Sequence, residues 1–256
     1  MDEEKNLQQS PELQSSGQYE QLSNADAMSG IFTAPGETFE TIANTPKKNY
    51  WILPVLVAVM IGLISTFLFM QDAELTSKTM DKQKEKMREK FQESVQQGKM
   101  TQEDSDKALE SMNPSGMMFK VFGFGGAIVG PFIILLLLSV FYLIALKIMK
   151  GQFDFTNILN VVGLAMLISG IGSLIAVVVS VLKGNLTTIG PSLLFSEESV
   201  GQKVYTLLTK IDLFSIWFYA VIAIGLSKVG RVSIAKSSAI VFGLWIVYIL
   251  VSSFVF

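Results

Sequence analysis

Two carboxylates, two amides and three hydroxyls stand where they could do chemistry in an otherwise apolar chain. Asp154 and Asp212 open long apolar stretches, Asn157 and Asn160 lie one helical turn apart, and Ser139, Ser169 and Ser173 sit inside such stretches. A carboxylate at membrane depth can relay a proton or hold a cation, and a serine can attack a carbonyl once a base takes its proton. The composition withholds the usual helpers. Among 256 residues there is no cysteine and no histidine, which excludes disulfides, thiol nucleophiles, Cys/His zinc sites and a Ser-His-Asp triad. No catalytic, cofactor-binding or metal-binding residue is expected, and the chain reads as a non-enzyme. Asp154 and Asp212 read as interfacial helix-start residues. The two asparagines read as polar glue between helices.

The elements that position these groups are long and greasy. Trp51–Met70, Val121–Leu146, Phe155–Leu182, Leu213–Ser227 and Ser237–Phe256 are almost free of charge. About 20 helical residues, rising ~1.5 Å each, match a hydrocarbon core of roughly 30 Å. Only 16% of the residues are charged, against about 25% in a soluble domain. Twenty basic and 22 acidic residues nearly cancel, which gives no reason to expect nucleic acid as a partner. The fold class expected is therefore all-α: a polytopic membrane bundle of five transmembrane helices with an inserted extramembrane helical hairpin. The fourth span is short, and the half-apolar helix before it is expected to run into it, giving spans of about 51–70, 121–146, 155–182, 205–227 and 237–256.

The wet segments divide into three. Residues 1–30 read as a disordered cytoplasmic tail, because Met1–Ala27 is rich in Gln, Ser, Glu and Asn, with order expected from near Met28. Phe32, Phe39 and Ile42 then follow at near-helical spacing, with Thr33 a candidate cap and Pro35 in the first turn, which predicts a short helix lying at the membrane surface. Residues 71–120 form the hairpin: nine basic and ten acidic residues, an apolar stripe of Met80, Met87, Phe91 and Val95, a break at Gly98, a capping box at Thr101–Asp104 and a stop at Asn113-Pro114. That stripe is a candidate protein-binding surface unless the hairpin covers it. In Lys183–Asp212, Leu193-Leu194-Phe195 is expected to dip into the interface and Ser196 to cap a new helix.

Lys47, Lys48, Lys147, Lys150, Lys228, Arg231 and Lys236 all fall on one side of a five-span chain, so the positive-inside rule puts the N-terminus in the cytoplasm and the C-terminus outside. Small residues let helices approach closely in lipid. Gly126, Gly130, Asn160, Gly163, Ser169 and Ser173 are the packing candidates, within the bundle or between copies in a homo-oligomer. Pro131 is a candidate kink.

Phe32-x-x-Pro35-x-x-x-Phe39 with Pro46 and Trp51-Ile52-Leu53-Pro54 resembles the opening of bacterial Yip-one domain membrane proteins. So do Gly151-x-Phe153-x-Phe155-x-x-Ile158-Leu159-Asn160-Val161-Val162-Gly163 and the run Asp212-Leu213-Phe214-Ser215-Ile216-Trp217 to Ala223-Ile224-Gly225-Leu226. The similarity covers about residues 31–256, with the charged hairpin as an insertion. It implies a five-span, non-enzymatic bundle with a cytoplasmic N-terminus, in the cytoplasmic (inner) membrane of a bacterium. The resemblance extends to eukaryotic relatives that interact with Rab-type GTPases, shape vesicle traffic and carry a motif ending in Gly-Pro. Gly130-Pro131 matches that end, but Ala127-Ile128-Val129 replaces its Asp-Leu-Tyr, which counts against a Rab-type partner. The function expected is membrane organisation or partner binding, through the 71–120 hairpin or the N-terminal tail, with the lipid bilayer as constant partner. The alternative is a small-solute transporter or permease component with a polar midplane cavity reached by Ser139, Ser169 or Ser173.

Overall fold

The computed structural model describes residues 19–111, 116–152 and 154–254. They form eleven α-helices and one short 3-10 turn, with no strand among the described residues. Two short helices, α1 (Asn24–Thr33) and α2 (Pro35–Asn44), precede the first long one, α3 (Ile52–Gln71). The hairpin helices α4 (Ala73–Gln96) and α5 (Gln102–Ser111) follow, then α6 (Met117–Ile148) and α7 (Phe155–Lys183). After the 3-10 turn Pro191–Leu193 come α8 (Glu197–Val200), α9 (Gln202–Thr209), α10 (Leu213–Val229) and α11 (Ile234–Phe254). Among the described residues four helices are long and apolar enough to cross a membrane, and a fifth crossing exists if α9 and α10 count as one bent span. This is an all-α polytopic membrane architecture.

Helix α7 is the axis. Val161 to Ile168 are buried without a break, so neighbours cover it on every side over two turns. Half of its most apolar window is buried inside the protein, against 17% for α6, which therefore turns most of its surface to lipid. Glycine sets the spacing around that axis. A Cβ on Gly163 would stand 2.5 Å from the Cβ of Trp51, and one on Gly172 would stand 2.5 Å from that of Phe214. Gly170 faces Ala58 and Ile61, so α3 and α7 run in step from Trp51 and Gly163 outward. A Cβ on Gly225 would stand 2.6 Å from Val161, so α10 runs antiparallel to α7 in the same register.

Several expectations need correction. Residues 24–30, assigned to a disordered tail, are helical, because Ser23 rather than Thr33 supplies the N-cap by accepting from the Asp26 N–H at 3.1 Å. Thr33 ends α1, and α2 begins at Pro35 without a side-chain cap. Residues 1–18 lie outside the described residues, as do Asn113-Pro114 and Phe153. The predicted surface helix is instead a pair packed on the protein: Phe39 and Ile42 are buried in the core rather than in headgroups. The helix expected to extend the fourth span is broken twice, at Gly201 with φ 80° and at Lys210–Asp212, where α9 and α10 meet at 50°.

Candidate functional site

With almost no charge inside the long helices, polar chemistry gathers at the two ends of the bundle and at the break before α10. At the first end Asn160 is fully buried and ties α7 to the start of α3. Its Oδ1 accepts the Trp51 N–H at 3.1 Å and its Nδ2 donates to the Lys48 carbonyl at 2.8 Å. Gly163, one turn on, leaves the space that Trp51 fills. The same turn holds the segment before α1. Tyr50, 1% exposed, donates its hydroxyl to the Leu22 carbonyl at 2.9 Å, and the Lys48 ammonium donates to that same oxygen.

Ion pairs fasten the rest of this end. Lys47 pairs with Asp154, the residue whose side chain also caps α7 by accepting the Asn157 N–H. Glu40 of α2 pairs with Lys228 at 2.7 Å, and Arg231 donates to Asn44 Oδ1 at 3.4 Å. Partial burial alone would raise the Asp154 carboxyl, but hydrogen bonds from Lys47 and from the Asn157 and Thr156 N–H groups outweigh it and hold the group below its usual value. The Lys228 ammonium likewise holds the Glu40 carboxyl down. An open cleft of about 470 Å³ lies between α2 and the α10–α11 loop, lined by Tyr19, Glu40, Asn44, Ser227, Lys228 and Arg231.

At the opposite end the hairpin is mounted on the bundle. Asp72 caps α4 by accepting the Leu75 N–H at 2.9 Å, and Thr76 reaches back to the Phe69 carbonyl at 2.9 Å. Of the predicted stripe, Met80 is buried, while Met87, Phe91 and Val95 are half-buried. Thr101 caps α5: its hydroxyl accepts the Asp104 N–H at 3.1 Å and donates to the Asp104 carboxylate at 2.6 Å, which gives the N-cap half of the expected capping box. Lys82 pairs with Glu197 and so links the hairpin to α8, whose cap is Ser196 as predicted. Leu194 is 82% exposed beside it.

The break before α10 is the feature the sequence hid. Phe214 stands level with Gly172, nine residues past Gly163 and therefore about 13 Å beyond the point where α3 begins. Asp212 caps α10 at roughly half the ~30 Å length of α3 rather than at its rim. Its carboxylate accepts the Phe214 and Ser215 N–H groups at 2.9 and 3.1 Å and the Ser215 hydroxyl. Irregular backbone at such depth must find partners within the protein. Here Leu213 N–H donates to the Ile189 carbonyl, the Thr188 hydroxyl donates to the Thr209 carbonyl, and Ser180, Thr187 and Ser192 form a buried hydroxyl cluster beneath. Lys210 donates to Ser252 near the end of α11.

The remaining packing candidates do not converge. A Cβ on Gly126 or Gly130 would meet no other atom within 4 Å, so these glycines are open rather than packed in the bundle, and α3 approaches α6 through Gly62 and Ala127 instead. Ser169 and Ser173 are exposed, and Ser173 bonds only its own helix at Gly170. Ser139 is buried, so the three serines share no cavity. Gly170 and Gly172, between the serines, do the packing. No cluster of His, Cys, Asp and Glu suited to a metal occurs among the described residues.

Comparison with known proteins adds two findings. The family model described as the Yip1 domain matches residues 29–256. Membrane protein YknW of Bacillus subtilis (strain 168) is 24% identical over 235 residues, covering 88% of this chain and 89% of the relative. No solved structure matches the chain.

Proposed function

The chain belongs to the Yip1 domain family of membrane proteins, and from that premise we propose that it is a non-enzymatic scaffold that presents the α4–α5 hairpin to protein partners. The observation that carries this reading is the mounting of the hairpin. One residue, Asp72, separates α3 from a 24-residue helix, about 36 Å long, that is braced at its base by Thr76 and sideways by Lys82–Glu197. Such an arm holds a fixed direction relative to the bundle. Met87, Phe91 and Val95 are its contact candidates, and Met80 belongs to the mounting. The N-terminus lies in the cytoplasm, the C-terminus and hairpin outside, and the protein resides in the inner membrane. The lysines and arginine at the α1–α2 end support that orientation. Deleting residues 76–113 should abolish partner crosslinking in native membranes while the bundle still inserts. Recovery of the same partners by the deleted protein contradicts the proposal.

A permease component is the second reading, and the break at Asp212 favours it, since transporters place substrate at discontinuous helices near mid-depth. A hydrated path would make Ser215→Cys react with a small water-soluble thiol reagent. An unreactive thiol at that position removes this reading.

A further inference from the structure

Four helices of this protein end in the same hydrogen-bonded stop, in which two N–H groups beyond the helix return to its last-turn carbonyls. After α4, Lys99 donates to Ser94 and Gly98 to Val95; after α7, Asn185 donates to Ser180 and Gly184 to Val181. After α6, Gly151 donates to Leu146 and Lys150 to Lys147; after α10, Val232 donates to Ser227 and Arg231 to Lys228. Each stop needs one left-handed residue. Glycine supplies it at Gly98 (φ 67°) and Gly184 (φ 65°), both at the hairpin end. At the α1–α2 end the same position holds Lys150 (φ 56°) and Arg231 (φ 49°), where a Cβ crowds the backbone. A basic group is welcome near a helix C-terminus, but Lys147 and Lys228 already provide that charge from unstrained positions in the last turn.

The two strained residues sit on loops that are docked together. Gln152 N–H donates to the Gly230 carbonyl at 2.9 Å, and Gly151 leaves no room for a Cβ, with Gly230 O and Val232 Cγ1 each 2.9 Å from where it would stand. Both side chains are exposed and neither forms an ion pair among the described residues. The nearby acids are engaged, Glu40 by Lys228 and Asp154 by Lys47. Helix α10 ends at Val229, six residues or about 9 Å past the position level with Trp51, and Arg231 follows that end, where a long basic side chain can reach headgroups. Ile148 and Ile234, 76% and 51% exposed, flank the pair with apolar surface suited to the lipid boundary.

We propose that Lys150 and Arg231 together hold the headgroup phosphate of an anionic phospholipid. The strained stops put both exposed cations on adjacent, hydrogen-bonded loops, Arg231 has the neutral Asn44 Oδ1 rather than an acid as its partner, and the guanidinium fork suits phosphate oxygens. The test uses the full chain in neutral detergent with phosphatidylglycerol, phosphatidylcholine or inorganic phosphate added, following the thermal midpoint. Phosphatidylglycerol should raise the midpoint of the natural protein, and the other two should not. In K150G/R231G the midpoint in phosphatidylcholine serves as the variant's own baseline, since glycine relieves the crowding while the Arg231–Asn44 bond is lost. Its apparent affinity for phosphatidylglycerol should fall about thirtyfold, each basic residue at an anionic surface contributing about a factor of five. K150N/R231N, which keeps a left-handed-tolerant polar residue, should lose the same affinity. An unchanged phosphatidylglycerol response in both variants overturns the proposal, and so does an equal response to inorganic phosphate alone.

Discussion

Replacing Asn160 by alanine strips the Trp51 N–H of its acceptor and the Lys48 carbonyl of its donor at a buried site. A loss of about 1–3 kcal/mol is expected, read by equilibrium unfolding in mixed detergent. Gly163→Ala should cost a similar ~1–3 kcal/mol, since its new Cβ meets Trp51 Cα at 2.9 Å and the Trp51 backbone cannot retreat from Asn160. Gly130→Ala makes the control. Nothing stands within 4 Å of its Cβ, so the change should be neutral or gain about 0.5–1 kcal/mol from helix propensity. Asn160 and Gly163 were both legible in the sequence, because an amide and a glycine in an apolar run have few uses besides contact. The facing of Gly126, Gly130, Ser169 and Ser173 was not legible. A small-residue motif fixes a spacing along one helix and says nothing about which side the partner occupies.

At the scale of elements, α2 and the connection that follows it are each attached by an ion pair, Glu40–Lys228 and Lys47–Asp154, and both respond to pH. Asp154 and Glu40 both lie below their ordinary values of 3.8 and 4.5. A depressed carboxyl contributes stability that is fully present above its unfolded value and is lost as pH falls through the lower folded one. The thermal midpoint should therefore hold steady from pH 7 to about pH 5 and drop below about pH 4. Asp154→Asn should flatten part of that drop, and a drop of unchanged size in the variant would count against the Lys47 attachment. The docking of α2 was half-visible: Phe39 and Ile42 announced an apolar face, but its cover is the notch at Gly225, which lies 186 residues further along the chain from Phe39. The break at Lys210–Asp212 escaped because Val204, Leu207, Leu208 and Ile211 keep helical spacing across it. Only the loop carbonyls and hydroxyls that receive the freed backbone reveal the bend.

For the whole molecule, composition carried the outline. The apolar stretches became α3, α6, α7, the bent α9–α10 pair and α11, with ends within a few residues of those expected. What composition could not supply was the division of labour between an axial helix wrapped on all sides and a peripheral one facing lipid. The bundle separates a docked, basic end from an end that bears the hairpin. The cysteine-free sequence makes this directly measurable. Ser29→Cys and Ser77→Cys place single thiols on exposed positions of α1 and α4, and a membrane-impermeant maleimide is applied to intact cells and then to lysed ones. Labelling of Ser77→Cys in intact cells, with Ser29→Cys labelled only after lysis, is the predicted result. Labelling of both from the same side contradicts the account.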